Sequence, residues 1–162
     1  FAYVTFPNPA SPTSVTLQVL GVFMSGLLLG PVWGGVSMTL YLAAGAVGVP
    51  VFEGAAAGFG PLVGTTAGFL WSYPLAAIAI GAIAYGVIET DADLDAPLWQ
   101  LIAALVAGTV IIYALGAAGL VVLGNLSVEA AVVGGTLTFL PAEAVKATVA
   151  VGIVRADELS AT

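Results

Sequence analysis

Apolar runs broken at a few points by proline, glycine and acids set the outline of this chain. Val15 to Leu29, Val32 to Val47, Thr66 to Ile88, Pro97 to Leu123 and Pro141 to Val154 lack the apolar–polar alternation of strands, so each is expected to be a helix. Gly30-Pro31 separates the first two with almost no linker, which predicts a tight antiparallel hairpin. Both of its arms are short against the roughly 20 residues that usually cross a bilayer. Thr66 to Ile88 carries no charge and is long enough to span, with Pro74 expected to kink it. Gly21 and Ser25, and then Gly64, Gly68 and Ser72, recur every four residues, the spacing that lets membrane helices approach closely.

The connections differ in character. Phe6 to Ser14 holds three prolines and can only be a loop. Val49 to Tyr73 is rich in glycine and reads as irregular backbone before Thr65, with Pro50 and Pro61 removing donors. At membrane depth such backbone survives only when buried in protein or lining a cavity, so the stretch is expected to wall or cover a small-molecule pocket. Glu89 to Pro97 is an acidic connector. Gly124-Asn-Leu-Ser127 reads as a turn, the Asn-Leu-Ser sequon being a common chance match, and Val128 to Leu137 as a short interfacial helix. Thr138-Phe-Leu-Pro141 is expected to break the pattern before the last helix.

Composition turns these runs into a membrane protein: 60% of residues are hydrophobic, 7% are charged, and mean hydropathy is +1.15. The expectation is an all-α, polytopic transmembrane helix bundle forming one domain over residues 1–162. The chain opens on Phe1-Ala-Tyr-Val-Thr-Phe6 without Met or a basic leader, which reads as the tail of an apolar segment begun upstream. A net charge of −7 and a pI near 4.1 disfavour nucleic acid and anionic headgroups as partners and point to a salt-adapted surface. Arg155, taken as an exposed base, assigns Gly30-Pro31, the acidic connector and the C-terminus to the cytoplasm. The proline-rich loop, the glycine-rich loop and Asn125 to Leu140 then fall outside.

Chemistry is sparse. Without Cys or His, thiolate nucleophiles and histidine sites are unavailable, and no lysine follows the glycines as a phosphate-binding loop requires. Neither an enzyme nor a bound cofactor is expected. The sharpest signal is Phe139-Leu-Pro-Ala-Glu-Ala-Val-Lys146. A lone lysine within the bilayer costs about 2.5–3.5 kcal/mol on insertion scales, so Lys146 needs a partner or a wet cavity, and Glu143 lies on its helical face. An acid beside an ammonium can clamp an amide-like or urea-like head. The alternative is a structural pair near the interface, in an assembly subunit, with Lys146 reaching outward. Glu53 is either a second contact or a solvated loop acid, and Gln18 bonds either a ligand or neighbouring backbone. Phe52, Phe59, Phe69, Trp71 and Tyr73 are candidate apolar walls, or packing and interface anchors.

The runs Thr16 to Pro31 and Tyr41 to Phe52, the glycine-rich loop, and Phe139-Leu-Pro141 followed by Glu143 and Lys146 closely resemble the BioY family, from about Tyr3 to about Val154. These are the biotin-binding S components of energy-coupling factor importers. The resemblance implies a six-helix bundle, here with five spans and the first truncated. It also implies biotin as transported ligand, and a transmembrane coupling protein and an ATPase pair as partners in the bilayer. By the same resemblance Glu143 and Lys146 become the binding acid and base, with Gln18, Tyr41, Phe52, Phe59, Phe69 and Tyr73 around the ligand. Family members usually show Pro-Gly-Asp where this chain has Pro141-Ala-Glu143, which keeps the charge on a longer arm. An S component for another vitamin is the alternative of the same architecture.

Overall fold

A computed structural model describes residues 5–6, 15–86, 94 and 96–160. The described residues form helices joined by loops, with a short antiparallel ladder in which Thr5 faces Thr16 and Phe6 faces Val15. The helices are α1 (Gln18–Ala46), α2 (Gly60–Val63), α3 (Ala67–Tyr85), α4 (Leu98–Val122), α5 (Val128–Gly135) and α6 (Leu140–Ser160). Among the described residues, four stretches are long and apolar enough to cross a membrane: Gln18–Ala46, Ala67–Tyr85, Leu98–Val122 and Val128–Ala156.

The first of these is folded in half. Gly30 takes φ 71° and ψ −174°, a conformation open in practice only to glycine. A straight helix would hold Gln18 and Tyr41 about 34 Å apart, yet their side chains hydrogen-bond at 2.7 Å. Residues 18–29 and 31–46 are therefore the two arms of the predicted hairpin. Pro31 has no N–H to offer the carbonyl of Leu27. The Tyr85 hydroxyl donates to that carbonyl instead, at 3.0 Å, and ties the hairpin turn to the end of α3.

α3 is the central post. It packs on both α1 and α4, while α6 packs on α1 and α4 in turn, so the four close a ring. Ile80, fully buried, sits against Gly26 of α1 and Gly108 of α4, where any side chain would collide with it. Gly68 and Gly119 bring α3 and α4 into backbone contact. The outward faces carry Leu40, Leu75, Ile102, Val106, Val110, Val145 and Val149, as helices apolar all round require in lipid. Gln100, near the start of α4, donates to the terminal carbonyls of Ile83 and Ala84 at 2.7 and 3.2 Å, groups that α3 cannot satisfy itself.

Pro74 lies within α3, which runs on past it. Several expectations need correction. α3 stops at Gly86, whose positive φ ends the helix, rather than at Ile88. The glycine-rich loop is not wholly irregular before Thr65, since a 3-10 turn forms at Glu53–Ala55 and α2 at Gly60–Val63. Thr138-Phe-Leu-Pro141 falls at the expected break in the pattern: α5 ends at Gly135, and a 3-10 turn over Leu137–Phe139 separates it from α6. Arg155 is half-buried and donates to the Ala96 carbonyl at 2.8 Å, so it is not the exposed base expected. Asn125 adopts a positive φ and Ser127 caps α5, as a turn at this point requires. The proline-rich loop from Pro7 to Ser14 and most of the acidic connector lie outside the described residues.

Candidate functional site

The first turn of α6 carries Glu143, where the helix N-terminus favours an acid, and Lys146 follows at i+3 on the same face. Both are buried, at 3% and 5% exposure, so Lys146 does not reach out to the interface. Lys146 Nζ donates to Glu143 Oε1 at 2.7 Å. Tyr113, from the middle of α4, donates its hydroxyl to the same oxygen at 2.8 Å. Among the described residues, Glu143 Oε2 is the buried side-chain polar atom left without a hydrogen-bond partner. A buried carboxylate oxygen in that position is an acceptor in need of a donor.

That acid–base pair lines a partly open cavity of about 400 Å³ bounded by α1, the glycine-rich loop, α3, α4 and α6. The size falls within the range of small-molecule sites. α1 contributes Gln18 and Val19; the loop contributes Phe52, Glu53, Gly54, Ala56 and Pro61; α3 contributes Phe69, Leu70 and Tyr73. Phe69 meets Tyr113 edge-on with centroids 5.9 Å apart, and Phe139 packs on Tyr113 at a tilt with centroids 6.1 Å apart. The walls are thus aromatic and apolar, with polar groups concentrated at a few points.

Most of the residues singled out from the sequence meet here: Glu143, Lys146, Gln18, Phe52, Phe69 and Tyr73 all face the cavity, as does Glu53. Tyr41 stands one layer behind. It accepts from Gln18 Nε2 at 2.7 Å and donates to the Val51 carbonyl at 2.7 Å, while Thr16 donates to Gln18 Oε1 at 3.0 Å. Phe59 is outside, 70% exposed and absent from the lining. Trp71 is also exposed, and its indole N–H donates to the Leu62 carbonyl at 2.9 Å, pinning α2 to α3 from without. Sequence reasoning missed Tyr113, Phe139, Thr16 and Thr66 as lining residues. For Tyr113 a signal existed, because a phenol hydroxyl midway along an apolar helix needs a partner.

A family model described as the BioY family matches residues 1–160. Among curated proteins, the biotin transporter BioY of Rhizobium etli is 32% identical over 146 residues, covering 90% of this chain and 78% of that protein. The biotin transporter BioY of Thermotoga maritima is 40% identical over 108 residues, 67% of this chain and 59% of the relative. That of Rhodobacter capsulatus is 36% identical over 115 residues, 71% and 58% respectively. A crystal structure of the S-component for biotin from an ECF-type ABC transporter superposes with a TM-score of 0.82 at 27% identity, covering 95% of this chain and 80% of that one.

Proposed function

This chain belongs to the BioY family, and from that premise we propose that it captures biotin in the cavity between α1, α3, α4 and α6 for uptake across the membrane. It is a multi-pass membrane protein of transporter type. The observation that carries the reading is the buried, unpartnered Glu143 Oε2 beside the Lys146 ammonium. A ureido ring offers N–H donors to the first. Its carbonyl takes one of the ammonium protons that Glu143 does not use, since an ammonium has three. Phe52, Phe69, Tyr73, Tyr113 and Phe139 then flank the bicyclic ring.

In this reading the protein is the substrate-specific subunit of an energy-coupling factor importer. A transmembrane coupling protein and a pair of ATPases supply the energy, because the sequence has no phosphate-binding loop of its own. The glycine-rich loop faces outward and the end of α6 faces the cytoplasm.

Equilibrium binding to the detergent-purified protein in high salt, with biotin set against desthiobiotin, thiamine and riboflavin, tests the assignment. Tight binding confined to the ureido ligands is expected, and Lys146→Met and Glu143→Gln should each weaken it at least about 100-fold, as loss of a buried charge-assisted contact does. Wild-type affinity in a folded Lys146→Met protein would place the site elsewhere, and preference for thiamine or riboflavin would make this a carrier of another vitamin.

A further inference from the structure

Across the two arms of α1 runs a chain of hydrogen bonds in which every proton has one place to go. The Val51 carbonyl can only accept, so the Tyr41 hydroxyl gives its proton there, at 2.7 Å. The Tyr41 oxygen is left as an acceptor, and the atom of Gln18 that meets it at 2.7 Å must be Nε2 rather than Oε1. The other end of the same amide agrees. Thr16 Oγ1 accepts the Gln18 backbone N–H at 3.3 Å, and its proton goes to Gln18 Oε1 at 3.0 Å. Turning the amide over would set Oε1 against the Tyr41 oxygen with no proton between them. The Gln18 carboxamide is therefore held in one orientation, and each of its polar atoms keeps capacity for one further bond, an N–H at Nε2 and a lone pair at Oε1. Gln18 lines the cavity, whereas Tyr41 does not. Tyr41 stands behind the wall, its ring against Phe52 and Tyr73 with centroids 5.8 and 6.4 Å away.

We infer that Gln18 is a ligand contact and that Tyr41 is its positioning residue, fixing which side of the amide donates and which accepts. The inference rests on the reading of this cavity as the biotin site. A glutamine free to turn over offers N–H and carbonyl in either place and discriminates little between a ligand donor and a ligand acceptor. Held by Tyr41 and Thr16, it offers each at a fixed point and leaves less ordering to be done on binding.

The test is a double-mutant cycle on biotin affinity with Tyr41→Phe, Gln18→Met and the two combined, each beside a thermal melt. Tyr41→Phe keeps the ring and removes only the hydroxyl. Gln18→Met should weaken binding about tenfold and Tyr41→Phe about fivefold, yet Tyr41→Phe added to Gln18→Met should change affinity by less than about twofold, because the group it positions is gone. Gln18 and Gln100 are the two glutamines of the chain, so isotope-labelled glutamine gives a direct view of the amide by NMR with Gln100 as internal reference. Biotin should shift the Gln18 side-chain signals in the wild type, and Tyr41→Phe should collapse their separation while leaving Gln100 unmoved. Should Tyr41→Phe fail to fold, Thr16→Val, which frees the other end of the amide, takes its place in the cycle with the same pattern expected. Losses that multiply in the double variant place the action of Tyr41 on the loop through Val51 and overturn its positioning of Gln18, as do Gln18 signals that Tyr41→Phe leaves unchanged. Wild-type affinity in Gln18→Met overturns the contact itself while the biotin reading stands. Absence of biotin binding by the folded wild type overturns both.

Discussion

Glu143 Oε1 serves two donors while Oε2 serves none, and this division determines what substitutions nearby should do. Tyr113→Phe removes one donor from Oε1 without changing the ring that packs on Phe69 and Phe139. Biotin affinity should fall about tenfold as the carboxylate loses its fixed orientation, because a hydrogen bond to a charged group is worth about 1.5–3 kcal/mol. Calorimetric titration beside a thermal melt checks this; a large drop in melting temperature with unchanged affinity would make Tyr113 purely structural. At this scale the sequence was informative where a residue violated its surroundings. Two opposite charges three residues apart in an apolar helix could only be paired or functional, and they are buried together. Phe59 was misplaced because composition says that a loop aromatic exists, not which way it faces. The Gln18–Tyr41 contact joins residues far apart in sequence, and only the folded hairpin brings them together.

The elements were legible through their breakers. Gly30-Pro31 announced the hairpin because proline withholds a donor and glycine alone accepts the required backbone. Gly30→Ala should accordingly cost about 1–3 kcal/mol and lower the melting temperature in detergent without touching the cavity lining; an unaltered melt would mean that the turn relaxes into another conformation. Gly68→Leu tests the other contact glycine provides. Its side chain would run into Leu115 and Gly119 of α4, so loss of folded protein, or a drop of about 1–3 kcal/mol, is expected in chemical or thermal denaturation. What periodicity could not supply was the short helix Gly60–Val63 and the run-on of the 3-10 turn into α6, which depend on packing rather than on local propensity. Arg155 was read as a charge facing water because its partner, the Ala96 carbonyl, is a backbone group at a distant point in the chain.

For the whole molecule, the fold class was evident in composition and run length, whereas the closure of α1, α3, α4 and α6 into a ring was not, since α1, α3 and α4 are apolar on nearly all sides and no stripe marks their neighbours. The net charge of −7 makes its own demand. Repulsion among the excess acids should make the melting temperature rise with salt, and melts across a salt series read this directly; a flat series would remove the case for salt adaptation. The attachment of the glycine-rich loop has a consequence in time as well. Hydrogen bonds that fasten it to its neighbours include Tyr41 Oη to the Val51 carbonyl, Trp71 Nε1 to the Leu62 carbonyl, Gly58 N to the Gly45 carbonyl and Val49 N to the Ala44 carbonyl. Each contributes about 1 kcal/mol net, beside the buried side chains of Phe52 and Leu62, so loosening one of these ties is expected to speed opening of the loop and with it the escape of a bound molecule. Trp71→Phe, which cuts one fastening outside the cavity, should shorten residence about fivefold in a chase experiment while shifting the dissociation constant much less, entry and exit being hastened together.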